Sequence, residues 1–597
     1  MRGWRLGARV RRQRLSASDT KRAPLPVRGN RRRYGVDVSS TRLTSARAET
    51  TDALRRYAPG TFIAGVVLVH LLIAAQSVGP MYLFDEVGYL AAGSVIAGVD
   101  AHWALCGSSY AVGYSALLAP LWWLPLEPVA IYQVAAFMSA SIGAAVMWPA
   151  TKFARMLGAT RWAALGIGAL VTLVPARALL DNYVIAENAL TFLLAWTAVV
   201  ALRVVRCGGL ADHVWFGALL GMSAAVHTRA LPIAAVGVTW LALRWWRRAS
   251  APVPASVGIG LAGGLAAIGF FAQQAMGAAL FSDDSRIDDL LGSVSLGGIG
   301  TVILGQVFTQ VVSWSLLTVL GGVVVVTHAR TSIARRGLDG LTSPWWWLLA
   351  GVGAQAAFFV AVLAASADLD NRLDIAVFGR YLDPFVVPVA VVGAVALWHR
   401  TGPRATRGAL VLALASVALY CAIILPWIPV DARWIPFAVP GLEPFLGPEI
   451  GDDRPYLALA ALAATLGCVL LFRFRAHPKR SLVAALVAAT AITGATDWLR
   501  VDPFEANVRT RSTILTFVRE LDGETVGLAA DLLPCAARNK LEFELAGRAV
   551  SATVDPGFTT DYVVGPADWA VAEHLGYVRV PLTVWQATAV WAAPGTS

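Results

Sequence analysis

Residues 383–426 read DPFVVPVAVVGAVALWHRTGPRATRGALVLALASVALYCAIILP, two apolar runs joined by a loop that carries Arg400, Arg404 and Arg407. Each run approaches the ~20 residues that take a helix across a ~30 Å hydrocarbon core. A backbone in lipid must satisfy its own hydrogen bonds, so both runs are expected to be helices. Similar runs recur outward in both directions, from residue 61 to residue 498. Hydrophobic residues fill 57% of the 597 positions and charged residues only 15%, which excludes an ordinary soluble chain. The alternating pattern of a membrane β-barrel is absent. The pattern predicts an all-α polytopic membrane domain of about thirteen transmembrane helices. They are placed near 61–79, 128–150, 162–177, 184–202, 214–226, 231–243, 256–276, 302–327, 345–366, 383–398, 408–426, 456–472 and 481–498, the fifth and sixth being short enough to form one broken pair.

Loop charge tests that order. Every second loop is basic: Lys152, Arg155 and Arg161; Arg203 and Arg206; Arg244, Arg247 and Arg248; Arg330, Arg335 and Arg336; Arg400, Arg404 and Arg407; Arg473, Arg475, Lys479 and Arg480. Basic loops stay cytoplasmic. The N-terminus is therefore expected inside and the intervening loops outside. Residues 1–57 hold 16 Lys/Arg against 4 Asp/Glu, so the chain's whole excess of +11 lies in that tail. It is expected to be a disordered cytoplasmic segment, serving as a topology anchor or touching anionic headgroups. No signal-peptide core precedes residue 60, so the first span is expected to remain as an anchor. Scarce Lys and abundant Arg, Ala and Gly suit a GC-rich bacterial genome, hence a bacterial plasma membrane. Residues 58–498 form the membrane domain. Its outer loop 80–127 is read as two interfacial helices, near 86–98 and 112–124, with Trp122 and Trp123 at headgroup depth.

After Asp497 the charge rises and short β-rich runs appear at Thr525–Ala529, Leu541–Leu545, Tyr562–Val564, Tyr577–Val580 and Ala587–Trp591. Helical stretches near 506–521 and 567–575 alternate with them. Residues 499–597 are thus expected to form a small α/β extracytoplasmic domain. The five cysteines have no CxxC spacing. Cys106 and Cys535 both fall outside, where a disulfide is permitted. The acidic run Asp283–Asp289 lacks the Gly and terminal Glu of an EF-hand and reads as a solvated loop.

Four groups at the outer ends of spans are harder to explain by packing. Asp85-Glu86 follow the first span, with Tyr89 one helical turn on; acidic residues also suit the start of an interfacial helix. In Tyr183-Val-Ile-Ala-Glu187-Asn188, a carboxylate sits at the edge of lipid, where it faces a cavity or a partner. His227-Thr-Arg229 is wedged between two short spans. Gly379-Arg380-Tyr381 opens another, where a snorkelling Arg and an interfacial Tyr are the packing alternatives. Carboxylates and arginines on one face suit an anionic lipid-linked substrate.

The segments Phe84-Asp85-Glu86-Val-Gly-Tyr89 and Tyr110-Ala-Val-Gly113-Tyr114 resemble the first outer loop of the GT-C glycosyltransferases. They are most similar to the branch holding the protein O-mannosyltransferases and the lipid A aminoarabinose transferase. Tyr183–Asn188 resembles the acidic motif that opens the fourth span of that family, and Gly379-Arg380-Tyr381-Leu-Asp-Pro384 its RY-x-x-P motif. The chain lacks the extended soluble insert of the mannosyltransferases. It has Glu187 in place of the Asp of the aminoarabinose enzyme, and no Lys-Pro before the second interfacial helix.

The resemblance implies a GT-C-like fold that moves a sugar, with inversion, from a polyprenyl-phosphate donor to a glycan, lipid or protein of the cell envelope. It implies no nucleic-acid partner. Asp85 would take the acceptor's proton, with Glu86 supporting. Arg380, and more weakly Arg229, would grip the leaving phosphate. Tyr89, Tyr183 and Tyr381 would line the substrate site. Glu187 would orient the sugar or acceptor, or hold a divalent metal with Asp85. The rival readings are a lipid-linked saccharide flippase or transporter, which calls for mid-membrane charges and often repeats, and a non-catalytic envelope-synthesis scaffold.

Overall fold

The computed structural model describes residues 58–597 except 82, 100–102, 104, 108–109, 281–295, 366–376, 401, 433, 448–450, 500–511, 522–525, 547–548, 552–559, 582, 586 and 596–597. The basic tail and the Asp283–Asp289 run lie outside the described residues.

Apolar composition produces helices throughout the membrane region. Among the described residues, ten helices are long and apolar enough to cross a membrane, or eleven if a bent pair counts as one span. Ala58–Ala74 and Leu210–Val226 are apolar but shorter. The expected thirteen is therefore not reached by length and composition among the described residues.

Two expected spans are built differently. The run at 162–177 is not continuous: the helix Arg161–Leu173 stops and Pro175–Asn182 departs at 63°, because Pro175 disfavours helix at the residue before it. The run at 302–327 is two helices, Leu296–Trp314 and Leu316–Arg336, broken at Ser315 with φ 50° and ψ −128°. No Gly or Pro marks that break. Beside it, Gln310 and Trp314 direct their N–H groups to Asp383 at 3.0 and 3.1 Å.

Two helices form the centre. Glu187–Arg206 and Gly379–Trp398 have 78% and 83% of their apolar lengths buried, against 17% for Pro478–Leu499. Their N-termini carry Glu187 and Arg380, so those ionic groups open the most enclosed helices. Around their C-termini the basic loops gather: Arg244 donates to Thr342 O at 2.8 Å and Val204 O at 3.4 Å, and Arg206 to Met156 O at 2.9 Å. Close packing at the centre depends on Gly393, where an added Cβ would stand 1.9 Å from Leu317 O. Gly393→Ala should therefore force Gly379–Trp398 away from Leu316–Arg336 and cost about 1–3 kcal/mol. A lowered thermal midpoint in detergent is the expected reading; an unchanged one would mean that the pair slides freely.

The segment expected to be the outer loop forms Asp85–Ile96, then Val112–Leu118 with a 3₁₀ extension to Trp123, matching the two expected short helices. Among the described residues the C-terminal region holds a five-stranded sheet in the order β2-β1-β3-β5-β4, with β1 Val526–Leu528, β2 Ala549–Ser551, β3 Tyr562–Pro566, β4 Val578–Arg579 and β5 Thr588–Ala592. β1 pairs parallel with β2 and β3; β5 pairs antiparallel with β3 and β4. Leu541–Leu545 is not a strand. Its apolar–acidic alternation reads as period two, yet it belongs to the helix Cys535–Glu544, where Arg538–Glu542 and Lys540–Glu544 pair one turn apart at 3.6 and 3.4 Å. Alternation over five residues is satisfied there by buried ion pairs. β2 carried no distinct sequence signal. Cys106 and Cys535 are disulfide-bonded, with Cα atoms 5.4 Å apart.

Candidate active site

The site is assembled from three places distant in sequence. Asp85 is the first residue of the loop helix, Glu187 the first residue of a central helix, and Arg380 the second residue of the other. Arg380 lies between the carboxylates: Nη2 is 2.7 Å from Asp85 Oδ2 and Nε 2.9 Å from Glu187 Oε1. Its side chain is 2% exposed, that of Glu187 4% and that of Asp85 18%. The solvent-facing member is thus Asp85. Glu187 also gains from sitting at the positive end of its helix.

Asp85 accepts a second hydrogen bond from Tyr110 Oη at 2.7 Å. Burial alone would raise its pKa. The Arg380 charge, the bonds from Tyr110 and Arg380, and the more distant Arg229 outweigh burial and hold it below the ordinary 3.8. Asp85 is therefore a carboxylate at neutral pH. Tyr89 packs against Tyr110 and Tyr114 at 5.0 and 5.1 Å. Burial, Glu187 and Asp85 hold it well above 10, so it remains a phenol.

Glu86 faces the scaffold. It is fully buried and accepts from Met81 N–H at 2.8 Å, Val184 N–H at 2.7 Å and Tyr132 Oη at 2.7 Å. It staples the loop helix to the segment that presents Glu187. Glu86→Gln would turn an amide N–H₂ toward these donors and cost about 1–3 kcal/mol. The expected reading is a lower unfolding temperature with donor contacts otherwise kept; a selective loss of turnover at unchanged stability would contradict it.

Arg229 lies 3.5 Å over the Tyr381 ring and donates from Nη2 to its hydroxyl at 2.6 Å. Its carbonyl accepts from Gln355 at 2.6 Å. His227 Nε2 is 3.9 Å from Glu187 Oε1. Burial, Arg229 and Arg380 push the imidazole well below 6.5 against the opposing Asp85, so it is neutral. Tyr183 meets Phe437 edge-on at 6.2 Å, and Phe437 covers the Arg380 guanidinium at 4.0 Å.

Among solved structures, ArnT from Cupriavidus metallidurans bound to undecaprenyl phosphate matches with a TM-score of 0.53 at 14% identity, over 90% of this chain and 98% of that one. The chain has the GT-C glycosyltransferase fold. The apo state of the same ArnT matches at 0.49 with 15% identity, over 89% and 97% of the two chains. Arabinosyltransferase EmbB from Mycobacterium smegmatis matches at 0.40 with 14% identity, over 80% of this chain and 43% of that one. No family model and no curated protein sequence matches.

Within this GT-C fold all eight residues singled out from sequence lie in or beside one cluster. Sequence reasoning misses a second layer beneath it. Arg177 donates to Asn188 Oδ1 at 2.7 Å, Asn188 donates to Asp181 Oδ1 at 2.9 Å, and Asp181 is paired with His70. Arg177 reads as the polar end of a span and shares no local motif with Asn188; only Pro175 just before it hints at a turn. The Nη1 atoms of Arg177, Arg229 and Arg380 are buried and have no hydrogen-bond partner among the described residues. Buried guanidinium N–H groups left open suit an anion.

A divalent metal shared by Asp85 and Glu187 does not fit this arrangement, because the Arg380 guanidinium fills the position between the two carboxylates. Among the described residues no three His, Cys, Asp or Glu side chains gather as a metal-binding group.

Proposed function

We propose that the chain is an integral membrane glycosyltransferase that moves a sugar from a polyprenyl-phosphate donor to a cell-envelope acceptor at the outer face, with inversion. The observation that carries the reading is Arg380, held between two carboxylates while its Nη1, like that of Arg229, remains open. That pairing places an anion-binding group beside a proton acceptor. The ArnT structure of the same fold was solved with undecaprenyl phosphate bound, which supports a lipid phosphate as the anion. The basic loops at the opposite helix ends support an outward-facing site.

In this mechanism the acceptor hydroxyl or amine attacks the anomeric carbon as the bond to the lipid phosphate breaks. Asp85 takes the acceptor's proton, and the departing phosphate carries away the electron pair. A base of lowered pKa is weak, which suits a transition state with oxocarbenium character, where the acceptor becomes acidic late. Arg380 and Arg229 stabilise the charge that gathers on the phosphate. Glu187 holds Arg380 in place, and Tyr89 and Tyr110 frame the acceptor side. Residues 499–597 would cap the site as a separate extracytoplasmic domain, with 58–498 as the catalytic membrane domain and 1–57 as a cytoplasmic tail.

Protein in lipid nanodiscs, incubated with a panel of polyprenyl-phosphate sugars and envelope acceptors and followed by mass spectrometry, tests this. Transfer with release of free polyprenyl phosphate is expected. Lipid binding without transfer, together with movement of the intact lipid across the bilayer, would replace the reading with that of a transporter.

A further inference from the structure

The C-terminal unit reaches the backbone beside the candidate site through the helix that carries Cys535 and Asn539. Asn539, 1% exposed on the helix Cys535–Glu544, donates from Nδ2 to the carbonyls of Leu83 and Cys106, each at 3.1 Å. Its Oδ1 accepts the Cys106 N–H at 2.9 Å. One turn earlier on that helix, Cys535 carries the disulfide to Cys106. Leu83 stands two residues before Asp85, and Cys106 four residues before Tyr110, the phenol that donates to Asp85. Between these contacts Gly107 turns the chain at φ +115°, where a Cβ would meet the Phe84 ring at 3.3 Å. A single amide therefore joins the two stretches of backbone that present Asp85 and its hydrogen-bond donor.

We propose that Asn539 and the Cys106–Cys535 bridge form a positioning clamp through which the C-terminal unit sets Asp85 and Tyr110 against Arg380. The proposal rests on the reading of Asp85 as the proton acceptor. A disulfide fixes one point and leaves rotation about it. Three bonds from a planar amide fix the orientation as well. The helix that carries them is itself held: Leu541 and Phe543 are fully buried, Lys540 pairs with Glu544 at 3.4 Å, and Glu544 accepts the Ser512 N–H at 3.2 Å. A displacement of that helix is thus passed to Leu83 and on to Asp85, whose charged and titratable neighbours among the described residues are Arg380, Arg229, Glu187, His227, Tyr89 and Tyr110.

Asn539→Asp tests the clamp, since a carboxylate of the same shape cannot donate to either carbonyl. The second variant, Cys106→Ser with Cys535→Ser, removes the tether and leaves the amide. Both are read in nanodiscs by donor-saturated turnover, by its pH profile and by amide hydrogen exchange over residues 83–96. Expected for Asn539→Asp are a fall in turnover of up to ~100-fold at little-changed donor KM, faster exchange at 83–96, and an acid limb moved to higher pH as Asp85 loses its partners. Dithiothreitol should give a milder, reversible form on folded wild type. It passes two electrons and two protons to the bridge, leaves two thiols and becomes a cyclic disulfide; reoxidation restores the rate. Unchanged exchange and an unmoved acid limb, with or without a fall in turnover, would overturn the clamp. Wild type inactive on every donor would instead defeat the transferase reading, and the exchange data would still decide the clamp.

Discussion

Asp85→Asn should keep the fold and the lipid contacts and lose transfer by about 10²–10⁴-fold, the span associated with removing a general base. The amide is isosteric, and its oxygen still accepts from Tyr110 or Arg380, so the geometry survives while the proposed proton acceptor is gone. Single-turnover transfer followed by mass spectrometry, alongside donor binding, measures the effect. Turnover within a small factor of wild type would remove Asp85 from the chemistry. The wild-type pH profile carries a matching expectation. The pKa of Asp85 is depressed in the folded protein, so the carboxylate and its ion pair are fully present above the ordinary value of 3.8. They are lost only as pH falls through the depressed one. Activity should therefore persist to the acid side of a free aspartate, and the stability contributed by the pair should fade in the same window.

The second large effect concerns Arg380. Arg380→Gln leaves Asp85 and Glu187 facing each other without the cation between them, in a site where Glu187 is 4% exposed. Breaking a buried pair from one side costs about 3–5 kcal/mol. In the proposed mechanism it also removes a donor to the departing phosphate, for a further loss of about 10²–10³-fold in rate. The double variant Arg380→Gln with Glu187→Gln removes one of the two stranded charges. It should regain much of the stability and none of the transfer. Thermal unfolding in detergent and turnover in nanodiscs separate the two quantities. A double variant no more stable than the single would mean that Glu187 and Arg380 are not coupled, and would leave Arg380 as a phosphate ligand only.

Much of this site is legible in one dimension because membrane burial is selective. In an apolar chain, charges at span ends such as Glu187 and Arg380 stand out, since each must find a partner or water. Asp85 and Tyr89 share one helical turn, so their common face follows from spacing alone. Glu86 is the instructive contrast. Beside Asp85 it looks chemically equivalent, yet it accepts from Met81, Tyr132 and Val184, and nothing local distinguishes a carboxylate that faces solvent from one that staples backbone. Arg177 is missed for a related reason, because its partner Asn188 stands eleven residues away, on the helix that follows. The break at Ser315 leaves no mark at all, since neither Gly nor Pro stands there.

Hydropathy, loop charge and the spacing of a few acidic and basic residues determined by themselves that this chain is a helical membrane protein with basic loops at one set of helix ends and the acidic and arginine motifs at the other. Transfer free energy and helix geometry act residue by residue, so they are written in order along the chain. Tertiary structure alone decided that Arg380 stands between Asp85 and Glu187, that Glu86 belongs to the scaffold, and that Asn539 and Cys535 reach back to Leu83 and Cys106. Those are contacts between segments separated by roughly a hundred to more than four hundred residues. Their existence depends on which helices pack together, and packing is a property of the assembled core.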